Sequence, residues 1–99
     1  MVVGVLVADV LLGDVRSLKQ KRSVVRPIVA DLARRYSVSV AETGDHDLHR
    51  RAEVSVALVG GDHQHVREVL DNCERFVAGR PEIELLSTRT RVLDDEDLG

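Results

Sequence analysis

The stretch Val2-Val3-Gly4-Val5-Leu6-Val7-Ala8-Asp9-Val10-Leu11-Leu12, broken by Gly13-Asp14, decides how this chain folds. Its odd positions are Val3, Val5, Val7, Asp9 and Leu11; its even positions are Val2, Gly4, Leu6, Ala8, Val10 and Leu12. Side chains alternate across a strand, so a run that is apolar in both sets reads as a central strand. The period then changes. Ser17 is a good N-cap, and Leu18, Val25, Ile28, Val29, Leu32 and Tyr36 recur at helical spacing. The spacing predicts an amphipathic helix from Leu18 to about Arg35, with a kink or a broken first turn at Pro27.

Working outward, Ser37 to Glu42 alternates around Val38 and Val40 and reads as a short strand. Thr43-Gly44-Asp45-His46-Asp47 is turn chemistry. A third strand runs from about Ala52 to Val59, ended by Gly60-Gly61. Asp62 caps a second helix with an apolar stripe of Val66, Val69, Leu70, Cys73, Phe76 and Val77. Gly79 is expected as its C′ glycine, with Pro81 preventing continuation. A last strand covers about Glu82 to Val92. The expected organisation is one domain over 1–92 followed by a disordered acidic tail over 93–99. The order β-α-β-β-α-β, with right-handed crossovers, is the α+β ferredoxin-like split fold. It has an antiparallel four-stranded sheet in the order 4-1-3-2 and two helices on one face.

Composition narrows the function. The chain has 99 residues and no apolar run near the roughly 18 residues of a membrane-spanning helix. Its start lacks the charged region of a signal peptide, so the expected location is the cytoplasm. Cys73 is the only cysteine, which excludes an internal disulfide and an all-cysteine metal site. The net charge of −3 is carried by Asp94-Asp95-Glu96-Asp97. Between Arg16 and Arg35 lie Arg16, Lys19, Lys21, Arg22, Arg26, Arg34 and Arg35, half of the 14 basic residues, against Asp31 alone.

Lys19, Arg22 and Arg26 fall on one ridge of the first helix, in its first turns, where the macrodipole disfavours cations. Helix stability does not explain that placement; contact with phosphates does, although charged helix faces are common on solvated surfaces. Arg16, Arg34, Arg35, Arg50 and Arg51 extend the candidate surface, and an acidic tail could shield it. Lys21 projects to the apolar side and needs a carboxylate. Asp47, Glu42 and Glu53 are candidates, with Asp47 the expected partner in a structural ion pair.

His46, Asp47 and His49 match no zinc spacing, and His63 and His65 cannot share a helix face, so no metal is expected. Gly60-Gly61-Asp62 lacks the lysine and spacing of a phosphate-binding loop. No cofactor or catalytic set is expected. Tyr36 and Phe76 are the only aromatics. Both sit at helical core positions, which argues against base stacking on the sheet and leaves phosphate contacts. If the helices cover the even positions of the first strand, Val3, Val5, Val7 and Leu11 remain as an apolar patch. A homodimer, face to face or edge to edge, is its simplest cover. A dimeric α+β-barrel enzyme with a small-molecule site near Asp9 and Glu53, or a protein-interaction module, are the alternatives.

Ser17-Leu18-Lys19-Gln20-Lys21-Arg22, following Val3-Gly4-Val5-Leu6, resembles the S-L-K-x-K-R signature of the YlxP-like family of small bacterial proteins of unknown function. The resemblance runs to about residue 92 through Val38-Ser39-Val40-Ala41-Glu42, Asp47-Leu48, Arg51-Ala52-Glu53 and Val59-Gly60. Family members often resemble Gln-Asp-Leu-Trp at 46–49, where this chain has His46 and His49. The acidic tail lies outside the pattern. The family's genes sit beside those of translation initiation factors and ribosome-binding factor A. The resemblance therefore implies an accessory part in ribosome maturation or RNA handling, with no catalytic residues to carry over.

Overall fold

A computed structural model describes all residues, Met1–Gly99. The elements are β1 (Val2–Leu12), α1 (Leu18–Tyr36), β2 (Ser39–Thr43), β3 (Arg51–Gly60), α2 (His63–Ala78), β4 (Ile83–Asp94) and a final turn, α3 (Asp95–Leu98). The strands form one antiparallel sheet in the order β2-β3-β1-β4, as right-handed crossovers predict, and α1 and α2 pack on one side of it. The fold is α+β with the ferredoxin-like β-α-β-β-α-β order.

Every even residue of β1 is buried and every odd one is half-buried. The even set, with Ala52, Val54 and Val56 of β3, meets Val25, Ile28 and Leu32 of α1 and Val66, Leu70, Cys73 and Val77 of α2. Burying an Ile or Leu side chain of this kind contributes ~1.5–3 kcal/mol. This core sits in the one layer between sheet and helices. Gly4 and Gly60 let α2 come close. A Cβ on Gly4 would collide with Val66 and lie 2.9 Å from Leu70, and one on Gly60 would lie 2.7 Å from Val66.

Three local expectations are corrected. The first helix runs unbroken through Pro27. Pro27 is exposed, so the carbonyl deprived of its amide partner lies on the water side of the helix. Gly79 closes α2 with φ −87°, in the right-handed region, its N–H donating to the Arg75 carbonyl. The left-handed cap belongs instead to Ser37, at φ 55°, ending α1. The expected end of the domain at 92 also moves. β4 continues to Asp94, and Asp95–Leu98 forms a helical turn in place of a disordered tail. Asp94 and Asp97 form a reciprocal capping box, in which the Asp94 carboxylate accepts from the N–H of Asp97 while the Asp97 carboxylate accepts from the N–H of Asp94.

Gly4→Ala is expected to cost about 1–3 kcal/mol in urea unfolding, because Val66 and Leu70 have little room to retreat. The Asp94 carboxyl is held below its ordinary value of 3.8, mainly by the Asp97 amide. A depressed carboxyl stabilises the turn above its unfolded value, and this is lost as pH falls through the folded one. Amide shifts of Glu96 and Asp97 followed below about pH 4 should show α3 fraying before the sheet changes.

Candidate nucleic-acid interface

Lys21 sets the rotation of α1. Residues on a helix advance ~100° each, so Lys19, Arg22 and Arg26 fall within about 60° of one another, with Lys19 and Arg26 roughly opposite Lys21 and Arg22 on the flank between. Lys21 is 1% exposed and points at the sheet. Its ammonium lies 3.0 Å from Oε2 of Glu42 on β2 and donates to the His46 carbonyl at 3.2 Å. The approach to Glu42 is a close charge contact, too bent for an aligned hydrogen bond.

The expected partner, Asp47, is corrected to Glu42. Glu42 is paired in register with buried Val54 and so points into the helix-covered layer, whereas Asp47 is exposed in the loop beyond the strand. Asp47 instead uses its backbone N–H to donate to the Asp45 side chain. Glu53, the third candidate, lies on the far face of the sheet, bonded to Thr43 and Arg89.

Lys19, Arg22 and Arg26 are exposed and form no ion pair or hydrogen bond with any acid of the chain. They span eight residues, or ~10.5 Å of helix. The residues expected to extend them divide. Arg50 donates to the Gly13 carbonyl at 3.0 Å, and Arg51 is paired with Leu11, so both stay at the end where α1 begins. Arg16 is 3.3 Å from Asp14. Arg34 and Arg35 lie on the last turn of α1, ~12 Å beyond Arg26 along the helix. Arg34 pairs with Asp31, and Arg35 stacks on Tyr36 and Phe76. The acidic tail does not shield the ridge. Asp94 pairs with Val2 at the other end of β1, and Asp95 holds the N-terminal ammonium at 3.2 Å, ~30 Å from the start of α1.

Tyr36 and Phe76 pack edge to face, with centroids 6.0 Å apart, and are half-buried under Arg35 and Arg80. No aromatic ring lies on the sheet. The Cys73 thiol is buried in the core, and desolvation pushes it up to about 11. His46 is engaged locally, its ring Nε2 lying 3.2 Å from the Glu42 carbonyl.

The register also assembles a polar network on the outer face of the sheet. Thr43 donates to Glu53 and lies 2.6 Å from the Ser55 hydroxyl, Arg89 donates to Glu53 at 3.0 Å, and Ser87 donates to Asp9 at 3.1 Å. Asp9 and Glu53 are visible in sequence as polar breaks in apolar strands. The rest depends on which strands become neighbours.

Replacing one member of the Lys21–Glu42 pair strands the other charge. Lys21→Met or Glu42→Met should each cost about 3–5 kcal/mol in thermal or urea unfolding, while the double replacement should recover most of that loss. A double variant as unstable as the sum of the singles would show that the two do not act as a pair.

Residues 3–90 match the family model described as "Protein of unknown function (DUF503)". The chain is also similar to the uncharacterized protein YlxP of Bacillus subtilis (strain 168). The two are 29% identical over 88 residues, covering 89% of this chain and 96% of that one. A match over nearly the whole β-α-β-β-α-β unit places the chain in the DUF503 family, whose members have no assigned function.

Proposed function

We propose that the protein is a non-enzymatic accessory factor that contacts RNA phosphates, ribosomal RNA among them, through Lys19, Arg22 and Arg26. One observation carries this reading: these three cations stand free of any acid, while Lys21 on the same helix is fully paired. The helix gains nothing from them, because cations near its N-terminus oppose the macrodipole. A polyanion does, because each phosphate neutralised releases counterions.

The lack of any aromatic ring on the sheet fits a partner held by its backbone, with little preference for base sequence. Arg50, tied to the loop before α1, and Arg51 beside it extend the surface at that end. No helix is long and apolar enough to cross a membrane. The resemblance to a family encoded beside translation factors supports a ribosomal partner, and such a partner places the protein in the cytoplasm.

The test is binding to purified small ribosomal subunits and to a short RNA hairpin, by fluorescence anisotropy across a salt series. The variant Lys19→Gln, Arg22→Gln, Arg26→Gln should bind at least tenfold more weakly at low salt. Its slope of log K against log salt should be shallower by about 2–3, the share of three phosphate contacts. Unchanged affinity and slope would discard the reading.

A further inference from the structure

The sheet face turned away from α1 and α2 is covered by no other part of the chain. Its centre is apolar. Val3, Val5 and Val7 of β1 are only half-buried, and Val59 beside Val3 is 69% exposed. A shallow open depression of about 480 Å³ lies over β1, β2 and β3, its floor made of valine, alanine and serine side chains. Charge surrounds this centre asymmetrically. Arg89 and Arg91 stand on β4, opposite Val7 and Val5, while Asp9 and Glu53 face each other across β1 and β3. Like charges directly opposed on a sheet are unfavourable without a cation over them. Within the monomer Glu53 has Arg89, but Asp9 has only the Ser87 hydroxyl.

The dimensions of the face match those charges to a second copy of itself. Arg89, Val7 and Ser55 share one row across the sheet, and Asp9 and Glu53 form the next same-face row. From the middle of the Val7–Ser55 pair, β4 is about one and a half strand spacings away, or ~7 Å. The acidic row is one same-face residue along, also ~7 Å. A two-fold axis lying in the interface at about 45° to the strands exchanges these two displacements, because it packs the sheets near a right angle. Along one of the two diagonals, Arg89 of each copy then lands over the Asp9–Glu53 pair of the other. Crossed near a right angle, two four-stranded sheets each ~19 Å wide overlap over ~370 Å² before side-chain relief is counted. That is about half of the ~800 Å² per partner of a standard stable interface, so the charge match and not the area selects the partner.

We propose that this face is the interface of a two-fold homodimer with crossed sheets, in which Val7 lies beside the axis and Arg89 of each copy covers Asp9 and Glu53 of the other. The partner is a second copy of this chain rather than a different protein, because the face carries both halves of the charge pattern at matching spacing.

Sedimentation velocity at concentrations up to about 0.1 mM provides the test. The wild type should sediment as a dimer and Val7→Glu as a monomer. Arg89→Glu and the double variant Asp9→Arg, Glu53→Arg should each be monomeric alone, since each sets like charges against like in its own dimer. Mixed, the two should form a heterodimer, because both cross-contacts are again of opposite sign. A monomeric wild type overturns the proposal. So does a wild-type dimer that survives Val7→Glu and Arg89→Glu in folded form; pairing through the β2 or β4 edge would then be the contact.

Discussion

One sheet with helices on one side imposes an asymmetry on β1. All six of its inward positions are taken up by the core, down to the glycine that admits Val66. Its outward valines meet only solvent and their neighbours on the sheet. The strand sequence does not distinguish the two sides by polarity, since both sets are largely valine and leucine with a single aspartate. What separates them is the rest of the chain. The helices begin and end where they can cover only one face, and their stripes match the inward set. The apolar outer face is thus a direct consequence of a central strand written for burial on both sides in a two-layer architecture.

The second constraint is the ion pair between α1 and β2. A lysine that is 1% exposed and held by Glu42 and the His46 carbonyl fixes how α1 is rotated about its axis. It also ties the β2–β3 loop to the first helix. With Lys21 turned inward, helical geometry points Lys19 and Arg26 away from the sheet and sets Arg22 on the flank beside them. The orientation of the ridge is therefore set by a buried contact on the same helix. Loss of the Lys21–Glu42 contact would loosen the presentation of the ridge without removing any of its charges.

The order of elements, the sheet topology and the inward face of β1 were legible because alternation and helical period are strong signals here. So was the burial of Lys21, which falls among Leu18, Val25, Ile28 and Leu32 on the helical wheel. Its partner was less legible. Strand parity puts Glu42 on the side of Val40, under α1, but that inference fails once the chain enters the loop where Asp47 lies. The tail shows a different failure. A run of four acids reads as solvated chain, yet Asp94 and Asp97 stand three apart, the spacing of a capping box, and two of those acids satisfy backbone amides. Gly79 is a third case: glycine permits the left-handed region without requiring it, and the helix end is closed here in right-handed geometry.

The two proposed surfaces lie on opposite sides of the molecule, and this has a geometric consequence. The ridge points away from the sheet, while the dimer face is the sheet itself. Packed layers of sheet and helix lie ~10 Å apart. In a crossed dimer, the two ridges would be separated by both helix layers and both sheets, a distance of ~40 Å or more. That exceeds the ~10 Å each ridge spans by a wide margin, so the copies cannot merge into one continuous phosphate track. Each would engage its own segment of RNA, and a large folded RNA able to reach both would gain avidity that a short hairpin could not. Dimerisation would thus favour an extended ribonucleoprotein surface over small free RNAs without adding a single base-specific contact.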